Sequence, residues 1–180
     1  MGKVVTAAGA VTVLLLTLSG CTESPPLVPP VPAPSDTPVF ASDEEALAAA
    51  EAAYAKYLEV SDAITADGGG GGERLSGLVT VEQLTAALDR FEKFQATGNR
   101  TQGSTGFDSA SLQRWDDFDL GIYLCLDVSG VRVLDLGGVD VTPADRPNRI
   151  PLEIAFQLDN DGGLVLASSD VWGDGDYCAR

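Results

Sequence analysis

The chain has 180 residues, 44% of them hydrophobic, with 27 Asp and Glu against 11 Lys and Arg for a net charge of −16, and it contains no histidine. That length holds one domain plus appendages, and the hydrophobic share can build a core. The acid excess argues against nucleic acid as a partner, because phosphate binding needs a basic face, and the missing histidine removes Ser-His-Asp triads, Cys-His pairs and His-ligated zinc.

In chain order, the sequence opens with "MGKVV", which carries Lys3, and continues into an apolar run from about Val4 to Leu18. The run has the length of a signal-peptide core and falls short of the roughly 20 apolar residues that span a bilayer. Leu18-Ser19-Gly20-Cys21 follows at once. This order of positive charge, apolar core and small residues before a cysteine resembles the lipobox of bacterial lipoproteins. The resemblance implies lipid transfer to the Cys21 thiol, cleavage before Cys21 and anchoring by fatty acyl chains. It makes residues 1–20 a signal peptide and places the mature protein on the outer, extracytoplasmic face of the cytoplasmic membrane. Residues 21–41 then comprise the lipidated cysteine and a spacer with Pro25, Pro26, Pro29, Pro30, Pro32, Pro34 and Pro38. Proline lacks an amide donor and fixes φ, so the spacer reads as extended polyproline II, rising ~3.1 Å per residue.

The α+β domain is expected over residues 42–180. "SDEE" reads as a capping box, with Ser42 as N-cap and Glu45 reaching back to its amide. Leu47, Ala50, Tyr54, Tyr57, Leu58, Ser61 and Ile64 then recur at helical spacing and predict a helix over about 43–65. Five glycines, Gly68 to Gly72, end it and predict a mobile loop. They are no phosphate loop, since neither a preceding strand nor a Lys-Ser/Thr pair accompanies them. Thr80 and Gln83 form a second capping box, and Val81, Leu84, Leu88, Phe91 and Phe94 mark a helix over about 81–97, closed by Gly98.

From about residue 103 the apolar period falls to two. Phe118, Leu120, Ile122, Leu124 and Leu126 share one strand face, and Ile150, Leu152, Ile154, Phe156 and Leu158 share another. "VRVLDL" and "LVLASSDVW" are further strands, "SLQRW" a weaker one, and the Asp-Gly of "DNDGG" marks a hairpin. Pro151 places its segment at a sheet edge or at a strand start. Two helices followed by antiparallel strands describe an α+β fold, with both helices on a curved, mainly antiparallel sheet of four or five strands. The order resembles the NTF2-like or cystatin-like arrangement of a long helix cradled by a sheet. The whole assembly is similar to small lipoproteins of Gram-positive bacteria that carry two cysteines in the C-terminal half. With Cys21 assigned to lipid, Cys125 and Cys178 remain as an even pair, and a disulfide between them competes with two free thiols.

The remaining chemistry rests on acids and aromatics. Asp116, Asp117 and Asp119 beside Trp115 could divide acid and base roles, but neighbouring strand residues face opposite ways, and a turn is the simpler account. "DNDGG" lacks the ligands of an EF-hand loop, and Asp170, Asp174 and Asp176 are the one acidic trio that could gather a calcium ion; otherwise no cofactor is implied. Tyr54, Tyr57, Trp115 and Asp119 are the candidate ligand contacts, with core packing as the competing reading. In NTF2-like enzymes an acid or histidine base and a tyrosine work inside a cavity, which here leaves Tyr54 or Tyr57 with an aspartate. Two functions follow. One is a non-catalytic envelope module that binds a protein or small ligand, recognisable by a filled core and an exposed apolar patch. The other is a small NTF2-like enzyme or apolar-ligand carrier, recognisable by a closed cavity of ~300 Å³ or more with a polar group inside.

Overall fold

A computed structural model describes residues 39–173 and 176–178. The signal segment, Cys21, the prolines of the spacer and Asp174 lie outside the described residues, as does the side chain of Asp176. Helix α1 spans Asp43–Ala66 and α2 spans Val81–Ala96. Six strands follow: β1 Arg100–Gln102, β2 Gly106–Trp115, β3 Asp119–Asp127, β4 Arg132–Leu134, β5 Arg149–Leu158 and β6 Leu164–Val171. The main sheet has the antiparallel order β2-β3-β5-β6, and β1 pairs with β4 in a separate two-stranded ribbon. The fold is therefore α+β, with the helices ahead of the strands.

The caps of both helices form as their sequences require. The Ser42 hydroxyl accepts the Glu45 amide at 3.3 Å, and Thr80 does the same for the Gln83 amide at 3.3 Å. The Glu45 carboxylate reaches back one residue further than expected, to the Ala41 amide at 2.7 Å, and so fixes the entering chain as well as the helix start. Gly98, at φ +71°, ends α2 in the left-handed conformation that its position predicts.

Core burial follows the period-two pattern. Leu120, Ile122 and Leu124 of β3 and Leu152, Ile154 and Phe156 of β5 are buried against Ala46, Ala50, Tyr54 and Leu58 of α1. Removing each large side chain from water contributes roughly 1.5–3 kcal/mol. Phe118, expected on the same face, is 77% exposed because it sits in the β2–β3 turn. There Asp116 accepts the amides of Phe118 and Asp119 at 2.8 and 2.9 Å. Pro151 is the third residue of a central strand. Its carbonyl accepts the Trp172 amide at 3.0 Å, so its donor-free nitrogen faces the side where β6 has ended at Val171.

Three departures from the sequence pattern have physical causes. The glycine run is packed against α2: a Cβ on Gly69 would stand 2.7 Å from the Phe91 carbonyl oxygen, and one on Gly72 would stand 2.8 Å from a Leu88 methyl. Absence of side chains serves close approach here. The α2 stripe is only partly buried, with Val81 76% and Leu88 40% exposed, since α2 packs mainly on that glycine segment and near β6. β2 extends back to Gly106, beyond the predicted "SLQRW", because two bulges break its alternation, one of them at Ser109 with φ +54°. Bulges on an edge strand also discourage pairing with another chain. The opposite edge is covered, since Leu78 and Thr80 exchange backbone bonds with Leu166 at 2.9 Å each.

The outward face of the sheet carries the C-terminal segment. Cys125 and Cys178 are joined, with Cα atoms 5.6 Å apart, and both are buried. The Arg149 guanidinium donates to the Cys178 carbonyl at 3.0 Å and to both Asp108 oxygens at 2.7 and 2.6 Å. Trp172 stacks on Tyr123 at 4.4 Å, and the Tyr177 hydroxyl donates to the Ser109 carbonyl at 3.0 Å, which serves the bulge.

Candidate functional site

The C-terminal half of α1 crosses the sheet where β3 runs out towards Val128 and Val131. Past Tyr54 and Leu58 the helix continues its buried face with Ile64 and sets the short Ser61 and Thr65 beside it, and short polar side chains do not fill the space that aromatic ones would. A cavity of about 300 Å³ results, lined by Tyr54, Tyr57 and Leu58 of α1 and by Leu126, Leu152 and Ser169 of the sheet, with Asp62 and Thr105 also in its lining. It is open to solvent, so it has the volume expected of a carrier without the closure.

Most of the lining polar groups are already paired. The Asp62 carboxylate accepts the Thr105 amide at 2.6 Å and the Thr105 hydroxyl at 2.7 Å. Thr65 and Thr101 share a hydroxyl–hydroxyl bond of 2.7 Å, which ties α1 to β1. The Ser61 hydroxyl oxygen is sealed from solvent and has no hydrogen-bond partner. Burial pushes the Tyr54 phenol well above the ordinary tyrosine range; the Ser169 hydroxyl opposes that shift and Tyr57 adds to it. Tyr54 is thus a neutral hydroxyl at any physiological pH, suited to hydrogen bonding and not to proton abstraction. Its ring stacks with Tyr57 at 5.8 Å and meets Phe107 edge-on at 5.3 Å.

The other sequence-derived candidates lie elsewhere. Trp115 lines a wider groove of about 510 Å³ between the first turn of α1 and β2, together with Leu47 and Leu112. Its indole N–H donates to Asp43 at 2.8 Å, and its ring meets Phe40 edge-on at 5.6 Å, which makes it a clasp on the start of the domain. Asp119 is exposed at the start of β3 and lines neither space. Asp170 pairs across the strands with Glu153. Among the described residues no group of three or more His, Cys, Asp or Glu side chains could hold a metal ion. Asp159 accepts the Asp161 and Gly163 amides at 2.9 and 2.7 Å and thereby caps the β5–β6 turn. Asp62, Ser61 and Thr105 were not singled out as site residues by sequence. The available signal was a serine on an otherwise apolar helical stripe.

No family model matches the sequence, and no curated protein does. Among solved structures, the intermembrane space region of the chloroplast protein ARC6 is similar in fold, with a TM-score of 0.52 and 13% identity over 71% of this chain and 97% of that one. A protein from Catenulispora acidiphila aligns with a TM-score of 0.49 and 16% identity over 74% of this chain and 97% of that one. A de novo designed β-sheet protein aligns at 0.34 and 13% over 76% and 95%. At these identities the ARC6 likeness concerns the fold alone.

Proposed function

We propose that this protein is a lipid-anchored, exported binding module whose domain takes a small ligand in the cavity beneath α1 and performs no chemistry on it. The observation that carries the reading is the state of the cavity's polar groups. Asp62 is committed to Thr105, Tyr54 is held neutral, and no histidine exists to act as base, so the lining offers recognition without a nucleophile–base pair. A disulfide supports an oxidising compartment, in keeping with export. Acyl chains on Cys21 would hold the domain at the membrane, and the proline-rich spacer would keep its acidic surface clear of the headgroups. The NTF2-like reading and a protein partner, for which the exposed Leu136, Val139 and Val141 or the exposed Val81 and Leu88 offer apolar surface, stand behind the small-ligand reading.

The address is tested by mass analysis of the N-terminal peptide from membrane-extracted protein made in a bacterium with lipoprotein processing. A diacylated Cys21 at the new N-terminus is expected; an intact leader, or cleavage elsewhere with an unmodified Cys21, refutes it.

A further inference from the structure

The cavity's charge is one-sided. Its lining holds one carboxylate, Asp62, and no lysine or arginine, and the chain around it carries a net charge of −16. The Arg146 guanidinium stands behind the lining and donates to the Val128 and Val131 carbonyls at 2.8 Å each, so an anion would enter against the field of the whole protein and meet a cation already turned to the backbone. Asp62 is held in place by Thr105, yet each of its oxygens accepts only one of those bonds, and a carboxylate has about four acceptor sites. It also lines a groove of about 420 Å³ together with Glu59, whose carboxylate is paired with Lys56 at 2.8 Å, so Asp62 is the acid left to a ligand. Beside Asp62, the half-buried Tyr57 ring, backed by the buried Tyr54, offers the aromatic surface that cations find in tyrosine faces. Leu126 and Leu152 supply apolar surface opposite.

We propose that the cavity takes a small organic cation, an ammonium group on a compact apolar body, with Asp62 as counter-ion and the Tyr57 ring as aromatic wall. This rests on the small-ligand reading above and adds the charge of the ligand to it. The volume, at the lower end of small-molecule sites, suits a single compact group and not a long chain.

The test titrates the detergent-solubilised full chain with three probes of similar shape: choline, the neutral 3,3-dimethylbutan-1-ol and the anionic 3,3-dimethylbutanoate. Binding is followed by amide chemical shifts at Thr105 and Leu126. Choline is expected to bind at least 10-fold tighter than the alcohol, and the anion to bind weakest. In Asp62→Asn the choline preference should vanish. Because that change also weakens the Thr105 tie, Tyr57→Leu serves as a second variant and should weaken choline at least 5-fold more than the alcohol. Equal affinity for choline and the alcohol in the wild type, or a choline preference that survives both substitutions, overturns the cation class and leaves the small-ligand reading standing. No response to any of the three probes overturns both.

Discussion

Breaking the Cys125–Cys178 bond should weaken the domain in a way that its loop length makes quantitative. The two cysteines are 53 residues apart in sequence, so the bond closes a loop that takes in the end of β3 from Cys125, all of β4 to β6 and the turns between them. Holding such a loop closed in the unfolded chain raises native stability by ~4 kcal/mol on chain-entropy grounds. A domain of this size loses about 3 °C of melting temperature per kcal/mol, so the bond is worth on the order of 10–15 °C. The bond is buried and reductant reaches it only through opening, so Cys125→Ala/Cys178→Ala should be compared with the wild type in urea and thermal unfolding. Free-thiol mass analysis of both proteins is the control. Two probes separate global from local effects. Far-UV dichroism follows the sheet, while fluorescence of Trp172, which packs on Tyr123 beside the bond, follows the tail when both proteins carry Trp115→Phe. The Arg149 and Tyr177 bonds to Cys178 and Ser109 remain in the variant. They predict that the tail frays early without detaching in the native state. A global midpoint within 1 °C of the wild type, with the bond verified in the wild type, would refute the loop-entropy reasoning.

Two further predictions bear on the fold. Gly69→Ala should destabilise by more than 2 kcal/mol, since φ is +92° and the new Cβ meets the Phe91 carbonyl at 2.7 Å, whereas Gly70→Ala, whose nearest neighbour is the Gln95 side chain at 3.6 Å, should be neutral or gain up to ~1 kcal/mol; equal effects in chemical denaturation would deny that the glycine run is packed. The Asp108 carboxyl is held below the usual Asp range chiefly by the Arg149 guanidinium, and Asp127 chiefly by Ser129 with help from Arg149. Carboxyls depressed in the folded state stabilise it above the ordinary Asp value near 3.9 and lose that contribution as pH falls through the lower folded value. The stability gap between wild type and Arg149→Met should therefore be constant from pH 7 to 5. Below about pH 4 it should narrow to the share owed to the Cys178 carbonyl; a gap that stays the same to pH 2.5 refutes the pairing.

How much of this was legible in the sequence depends on how local the cause was. Caps and helix ends are set by a few adjacent atoms, and Ser42, Thr80 and Gly98 do in the fold what their spacing requires. The strand faces of β3 and β5 were readable because alternation is intrinsic to an extended chain. β1, with its sequence Arg-Thr-Gln, carries no apolar alternation, and it exists because β4 lies beside it. The β4 segment shortens to three residues because Asp135 turns the chain, its carboxylate accepting the Val139 amide at 2.9 Å. The glycine run misled because composition reports what a backbone can do, whereas packing against Phe91 and Gln95 decides what it does. Tyr54 and Tyr57 were visible as a pair on one helix face, but their separation from Trp115 and Asp119 depends on how a helix of 24 residues crosses a twisted sheet.

The inward stripe of α1 accounts for where the cavity lies. Ala46 and Ala50 are fully buried, and methyl groups let the first half of a helix sit close on a sheet. Tyr54 and Leu58 come next, and large side chains need a wider gap, which they fill against Phe107 and the sheet. One turn further Ile64 continues the core, while the short Ser61 and Thr65 beside it line the cavity. Thr65 closes part of it by bonding to Thr101. Ser61 does not, and its hydroxyl stays buried without a partner at a cost of about 1–3 kcal/mol. Ala or Val at that position would remove the unpaired hydroxyl, and Leu or Phe would also fill the space. A structural core gains from any of these residues, whereas a binding cavity needs the space kept open. Under the small-ligand proposal, Ser61→Ala should therefore raise stability by removing the unpaired hydroxyl while leaving the neighbouring space open.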